Sequence, residues 1–387
     1  MALLHKIGDR QAVMAETHGD RHDKAHMGMG ELVQGPLVGA LTPKDRELAL
    51  LDAVKEGSRH RRFHELPGNP RRLRHCDLLR ISVFTRATKE RIMRSEFTNV
   101  LRERAMDQRI VDLYDEYTHK PLDRRVFMER LVALTGSTAA AQLALAGLAS
   151  NYALAQTITE NDPRISTDRL EIGGLKFYRA RPRDVTPEVA RAAVIVIHEN
   201  RGINPHIEDV TRRVAAAGYL ALAPDMLTPL GGTPKDEDAA RDMFPKLDLA
   251  KSADQLAGVV DQLKKASPPK KVGAVGFCWG GGMVNMLAVA APGLDAGVVY
   301  YGAPPKGDVA RINAALMMHY ASLDKRINDM VPPYEEALKK AGKPFQSFMY
   351  EGVNHAFNND TGGERYSKTA ADLAWGRTLA FFKEKLA

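Results

Sequence analysis

From about residue 165 to the C-terminus, the apolar positions follow two periods in turn. Short continuous apolar runs at residues 192–198, 219–223, 271–276, 296–301, 315–320 and 345–350 have the length of strands buried on both faces. Residues 207–217, 249–265, 281–291, 333–341 and 370–385 instead space their apolar side chains at threes and fours, the period of an amphipathic helix. Residues 170–179 read as an edge strand broken at Gly173-Gly174. This alternation predicts an α/β fold with a mostly parallel, doubly wound sheet covered by helices on both faces. Ligands of such sheets bind at the carboxyl ends of the strands. Residues 226–247 read as a loop-rich insertion beside those ends.

The chain before residue 160 follows other rules. Residues 106–117 read as a helix. Next comes Leu122-Asp123-Arg124-Arg125-Val126-Phe127-Met128, then an Ala-rich apolar run over 131–149, then Ala153-Leu154-Ala155. A basic start, an apolar middle and an A-x-A end compose an export signal of the twin-arginine kind, which implies translation from Met106 and a periplasmic destination. An Ala-rich amphipathic helix packed on the main domain of a cytoplasmic protein has the same pattern, and both readings stay open. Residues 1–105 are polar and rich in Arg and His, with one helical stretch at 40–58 capped by Thr42. They read as a basic, partly disordered or helical extension. The expected division is 1–105 extension, 106–160 helical or signal-like segment and 161–387 catalytic domain.

Composition narrows the function. The 387 residues are 44% hydrophobic and 27% charged, as in globular proteins. The net charge of +7 is concentrated before residue 130, so it characterises the extension rather than the catalytic domain. Two cysteines, Cys76 and Cys278, exclude a disulfide framework and a cysteine-rich zinc site. No apolar run reads as a permanent membrane span. His18, His22 and His26 are spaced for one helical face, but in a Gly-rich segment with no fixed carboxylate. The basic stretch 59–80 lies in no nucleic-acid module, and no glycine-rich dinucleotide loop or P-loop follows an early strand. The expectation is no cofactor, no metal and no specific nucleic acid; the partner is a small-molecule substrate, and the oligomeric state is not encoded in any pattern.

The sharpest signal is Gly276-Phe277-Cys278-Trp279-Gly280-Gly281-Gly282, which closes a strand and opens a helix. It is a G-x-S-x-G nucleophile elbow with cysteine in the serine position. The turn is tight enough to need small neighbours, and the helix N-terminus favours a thiolate. The acid and the base follow in the order of an α/β-hydrolase: Asp324 just past a strand, then His355 in the loop after the next strand, with Asp329 as a rival acid. His355 is the expected base, and Asp324 orients its ring. The oxyanion hole is expected from the backbone N–H groups of Trp279 and Asn200. Glu199, in the same loop as Asn200, is either a carboxylate near the thiol or a solvated loop residue.

As a set, residues 196–202 (Val-Ile-His-Glu-Asn-Arg-Gly), Ala223-Pro224-Asp225, the elbow, Asp324 and the His355 loop resemble the dienelactone hydrolase family of carboxymethylenebutenolidase-like α/β-hydrolases. The resemblance implies a Cys278–His355–Asp324 triad, a thioester acyl-enzyme, and Glu199 as the resting partner of the thiol. Members that act on dienelactone carry an arginine shortly after the histidine, where this chain has Ala356-Phe357-Asn358-Asn359. Arg241 and Arg365 are the possible substitutes, and Phe244, Met226, Phe357 and Trp279 are expected to make a more apolar pocket. The expected function is hydrolysis of carboxylic esters or lactones. The alternative is a non-catalytic binding or thiol-sensing protein on the same scaffold.

Overall fold

The computed structural model describes residues 106–387 except 187–189, 191 and 267–269. The stretch at 40–58, the spaced histidines, the basic run at 59–80 and Cys76 lie outside the described residues. Eight strands form one sheet: β1 (Ile165–Ile172), β2 (Leu175–Pro182), β3 (Ala192–Ile197), β4 (Leu220–Pro224), β5 (Lys271–Phe277), β6 (Ala296–Tyr300), β7 (Ala315–Ala321) and β8 (Phe345–Tyr350). Their order is β1-β2-β4-β3-β5-β6-β7-β8. The strands from β4 to β8 run parallel, and β1 and β2 add an antiparallel hairpin at one edge. The predicted single edge strand at 170–179 is therefore two strands. Gly173 and Gly174 have φ of 58° and 76°, the left-handed pair that closes a two-residue hairpin.

Apolar side chains fill both faces of the sheet. On one face, Leu256 and Val260 of α6 (Leu249–Lys265), Leu287 of α7 (Trp279–Ala290) and Leu338 of α9 (Val331–Lys340) join Leu222 and Leu316. On the other, Val210 and Val214 of α4 (Pro205–Ala216) and Phe381 and Phe382 of α10 (Lys368–Lys385) pack on Val194, Val196 and Val298. Side-chain caps start the helices where the sequence turns polar: Asn204 accepts from the Ile207 N–H, and Asp248 from those of Ala250 and Lys251. The insertion at 226–247 contains one short α-helix, α5 (Glu237–Met243), and two 3-10 turns, Thr228–Leu230 and Phe244–Lys246. Asp225 organises its start by accepting from the Leu227 N–H, the Thr233 N–H and the Thr233 hydroxyl.

The residues before the sheet form α1 (Gln108–His119), α2 (Arg124–Thr135) and α3 (Thr138–Leu148). The apolar run is cut at Gly136, left-handed at φ 82°, and at Ser137, whose hydroxyl caps α3 through the Ala140 N–H. The chain bends by 109° there, and no single helix among the described residues is long and apolar enough to cross a membrane. The three helices share a core of Leu113, Tyr117, Phe127, Leu131 and Leu148. Polar ties join them to the hydrolase fold. Gln108 donates to Asn354 Oδ1 at 2.6 Å, Tyr117 to Asp238 at 2.8 Å, and Asn200 Nδ2 to the Thr118 carbonyl at 2.6 Å. Each joins residues far apart in sequence, so together they fix the end of α1 against the carboxyl edge of the sheet.

Candidate active site

Cys278 is the hinge between β5 and α7, with φ of 55° and ψ of −114°. A non-glycine residue held there is strained, and such strain persists only where surroundings enforce it. Close backbone approach enforces it here. A Cβ on Gly276 would lie 2.1 Å from the Gly280 carbonyl oxygen, and one on Gly280 would lie 2.3 Å from that of Ile197. The other two non-glycine residues with positive φ among those described, Tyr301 and Ala356, follow β6 and His355. Strain is thus concentrated around one point at the carboxyl ends of the strands.

The predicted residues converge there. Asp324 caps the short helix α8 (Lys325–Asn328), and its Oδ2 lies 2.5 Å from His355 Nδ1. That nitrogen therefore carries a hydrogen and donates it to the carboxylate. His355 Nε2 is buried with no hydrogen-bond partner, and a ring nitrogen of His355 lies within 4.8 Å of Cys278 Sγ. The rival acid, Asp329, is paired instead with Lys325 at 2.6 Å. Among the described residues, neither the Trp279 nor the Asn200 backbone N–H finds an acceptor, and both residues line the cavity at Cys278. His198 sets the Asn200 loop. Its Nδ1 donates to the Glu199 carbonyl at 2.7 Å, its Nε2 accepts from the Met226 N–H at 3.1 Å, and its ring stacks on Trp279.

The thiol's hydrogen-bond partner is a residue the sequence reading passed over. His119, the last residue of α1, places Nε2 at 3.0 Å from Cys278 Sγ. Its Nδ1 faces Asp115, 2.8 Å from the carbonyl oxygen and 3.1 Å from Oδ1. Arg326 closes the group, with Nε 3.4 Å from Asp115 Oδ2. Glu199, expected beside the thiol, is buried at the site, but its Oε2 accepts from Asn359 Nδ2 at 2.9 Å and its Oε1 has no partner. Asn359 Oδ1 takes the Thr361 N–H and hydroxyl, which leaves only its amide to face Glu199.

Charge decides the resting state. Burial pushes the Cys278 thiol up, but the charges of His119 and His355 and the hydrogen bond from His119 outweigh it and bring the thiol to about 6. Burial pulls His355 down, and Asp324, Cys278 and Asp115 more than reverse that, to about 10. The same contest, won by Cys278 and Asp115, raises His119. Burial works against the charged forms of Asp115 and Asp324 too, and the neighbouring imidazoliums hold both below the usual carboxylate range. At neutral pH the group is thiolate, two carboxylates, two imidazoliums and the Arg326 guanidinium. Sγ and one ring nitrogen from each histidine lie within 4.8 Å of one another, the spacing of a metal site. A cation there would have to displace the imidazolium protons.

A cavity of about 1040 Å³ opens over Cys278. Its wall combines Thr118, His119 and Leu122 with Phe244, Trp279 and Met283. Two expected pocket residues do not belong to it. Met226 is 1% exposed and packs in the core, and Phe357 is fully buried against Tyr301 and Tyr350. Arg241 does line the cavity, but it is paired with Asp238 and Asp242 and lies over the Tyr117 ring at 4.3 Å. Arg365 donates to the Leu148 carbonyl, away from the cavity.

A family model described as dienelactone hydrolase family matches residues 177–386, more than half of the chain. The chain belongs to the dienelactone hydrolase family. It is accordingly a hydrolase of ester or lactone bonds on an α/β-hydrolase fold. A second model, described as YqhI-like, matches residues 99–134, the stretch containing α1. A Saccharolobus solfataricus protein named "Putative carboxymethylenebutenolidase" is 31% identical, over 51% of this chain and 91% of its own. "Protein usf" of Aquifex pyrophilus is 35% identical, over 52% of this chain and 91% of its own. The crystal structure of a Klebsiella pneumoniae protein described as "Putative Dienelactone Hydrolase" superposes with a TM-score of 0.52 at 29% identity. It covers 57% of this chain and 99% of its own. The dienelactone hydrolase family match begins within β2, so α1 and His119 lie outside it.

Proposed function

We propose that this hydrolase cleaves ester or lactone bonds through Cys278, His355 and Asp324, with a thioester on Cys278 as the intermediate. The observation that carries this reading is the strained Cys278 at the N-terminus of α7, facing a buried His355 whose far nitrogen is bound to Asp324. The thiolate attacks the acyl carbon, and the N–H groups of Trp279 and Asn200 receive the developing oxyanion. His355 gives its proton to the leaving oxygen, which departs as an alcohol or, from a lactone, stays tethered as a hydroxyl. It then takes a proton from water, whose oxygen attacks the thioester and frees the thiolate. The three arginines of the cavity wall, Arg124, Arg241 and Arg326, are each paired with a carboxylate. The pocket therefore suits uncharged, partly apolar acyl groups rather than an acyl group bearing its own carboxylate.

Cys278→Ala is expected to abolish turnover of 4-nitrophenyl acetate and butyrate and of an unsubstituted five-membered lactone. Quenched turnover of the parent protein should show, by intact-protein mass spectrometry, one acyl group that maps to Cys278. Undiminished turnover in the alanine variant overturns the proposal.

A further inference from the structure

We propose that His119 is a second catalytic histidine: it keeps its proton throughout the reaction and holds Cys278 as a thiolate, both before acyl transfer and as the sulfur leaves the acyl-enzyme. This inference rests on the cysteine-nucleophile reading above and assigns a residue outside the dienelactone hydrolase match to the chemistry.

Geometry gives the two histidines different tasks. His355 Nε2 has no partner, so it is free to pass a proton to a leaving group and to take one from water. His119 Nε2 is already engaged with Sγ at 3.0 Å. Its other nitrogen faces the Asp115 carbonyl at 2.8 Å and carboxylate at 3.1 Å, acceptors that require a hydrogen on Nδ1. With the sulfur as thiolate, the form the surrounding charges favour, Nε2 is the donor to Sγ and the ring, protonated on both nitrogens, is an imidazolium. The position favours that form a second time, because the C-terminal end of a helix is its negative pole. The ring cannot swing away freely. Asn200 holds the Thr118 carbonyl, Arg326 holds Asp115, and the His355 ring meets the His119 ring edge to face at 4.6 Å.

Charged and titratable groups reach the His119–Cys278 pair from every side. Asp115 comes from α1, Arg326 from α8, and His355, backed by Asp324, from the loop after β8. Tyr301, whose ring lies 4.8 Å from that of His355, feels the charges of both Cys278 and Glu199. Counted without Glu199, three cations (His119, His355, Arg326) balance three anions (Cys278, Asp115, Asp324). Loss of His119 removes one cation and the hydrogen bond to sulfur together, and the proton that restores balance goes to the thiolate.

The steps balance. In acylation the S–C bond forms and the C–O bond of the ester breaks; the proton on the leaving oxygen comes from His355, and His119 keeps its own. In deacylation His355 takes a proton from water, the new C–O bond forms and the S–C bond breaks. The electron pair goes to Sγ, where the His119 Nε2–H stabilises it. The acid product then loses its proton to solvent. Lowering the basicity of sulfur makes thiolate, rather than hydroxide, the group expelled from the tetrahedral intermediate.

The test uses the full chain, with His119→Gln, His119→Ala and Asp115→Asn. The thiolate is followed by its ultraviolet absorbance from pH 4 to 10, and turnover of a short alkyl ester is measured over the same range. The thiolate midpoint should move up by at least about one pH unit in both His119 variants, and by less in Asp115→Asn. At pH 6, kcat/KM should fall about fivefold or more, and at pH 9 it should return to within about threefold of the parent. A merely structural role predicts a loss that is the same at every pH. That result, or an unmoved thiolate midpoint in a variant with the parent circular dichroism and melting temperature, overturns the inference. A Cys278→Ala protein that still turns over ester would instead sink the underlying cysteine reading, whatever His119 does.

Discussion

At the scale of residues, the site is a set of locally unfavourable choices that compensate one another. Cys278, Tyr301 and Ala356 hold positive φ without being glycine, each at a cost of order 1–3 kcal/mol. Asp324 and His355 are buried ionisable groups, which burial alone would neutralise. Each is tolerable because the other is present, which makes the pair testable by a change that keeps its shape. Asp324→Asn preserves size but turns an acceptor into a group that can donate to His355 Nδ1, favouring the tautomer with its hydrogen on Nε2. A neutral ring of that kind cannot take the proton from water. Steady-state kinetics should show kcat reduced by about 10³–10⁴-fold, with Cys278 still present and alkylated by iodoacetamide. A kcat within tenfold of the parent would mean that Asp324 does not orient the histidine.

At the scale of elements, α1 matters because of what its last turn carries, and its own core holds it in place. Phe127 of α2 is fully buried and stacks on Tyr117 of α1 with ring centroids 4.2 Å apart. Phe127→Ala should cost about 3–5 kcal/mol of local stability. Amide exchange should quicken over residues 108–131 while β3 to β8 keep their protection, and ester turnover should fall in step. Unchanged exchange in that segment would show that its packing does not depend on Phe127. The same element shows where the sequence was legible and where it was not. Strands buried on both faces print as continuous apolar runs, and the elbow, Asp324 and His355 each sit at a strand end, so local pattern found them. His119 and Cys278 are 159 positions apart, and nothing local to either names the other. The one sign at hand was Asp115 four residues before His119, a spacing that puts both on one helical face. Met226 and Phe357 failed for a related reason: an apolar residue near a strand end packs under a pocket as readily as it lines one. The partner of Glu199, Asn359, is fixed only by the folded loop after His355.

At the scale of the whole molecule, the sheet, the insertion and the N-terminal helices together bury a charge network that sets the pH range of activity. In the proposed mechanism the nucleophile is the Cys278 thiolate. With the thiol brought to about 6, lowering the pH through that value protonates sulfur and removes activity by about tenfold per unit below it. The proposed acid for the leaving group is His355 in its charged form. With His355 pushed up to about 10, raising the pH through that value removes the proton donor. The thiolate–imidazolium pair therefore exists between the two values, and kcat/KM, which reports the free enzyme, should be level from about pH 6 to about pH 10. The two limbs separate by substrate. An alkyl ester needs its leaving oxygen protonated and should show both limbs. A 4-nitrophenyl ester releases a stable anion without help and should keep only the acid limb. An acid limb near 8.5–9 for both substrates, the range of an ordinary thiol, would show that the imidazolium charges do not reach Cys278 in solution. A basic limb of equal depth for both would show that His355 acts on something other than the leaving group.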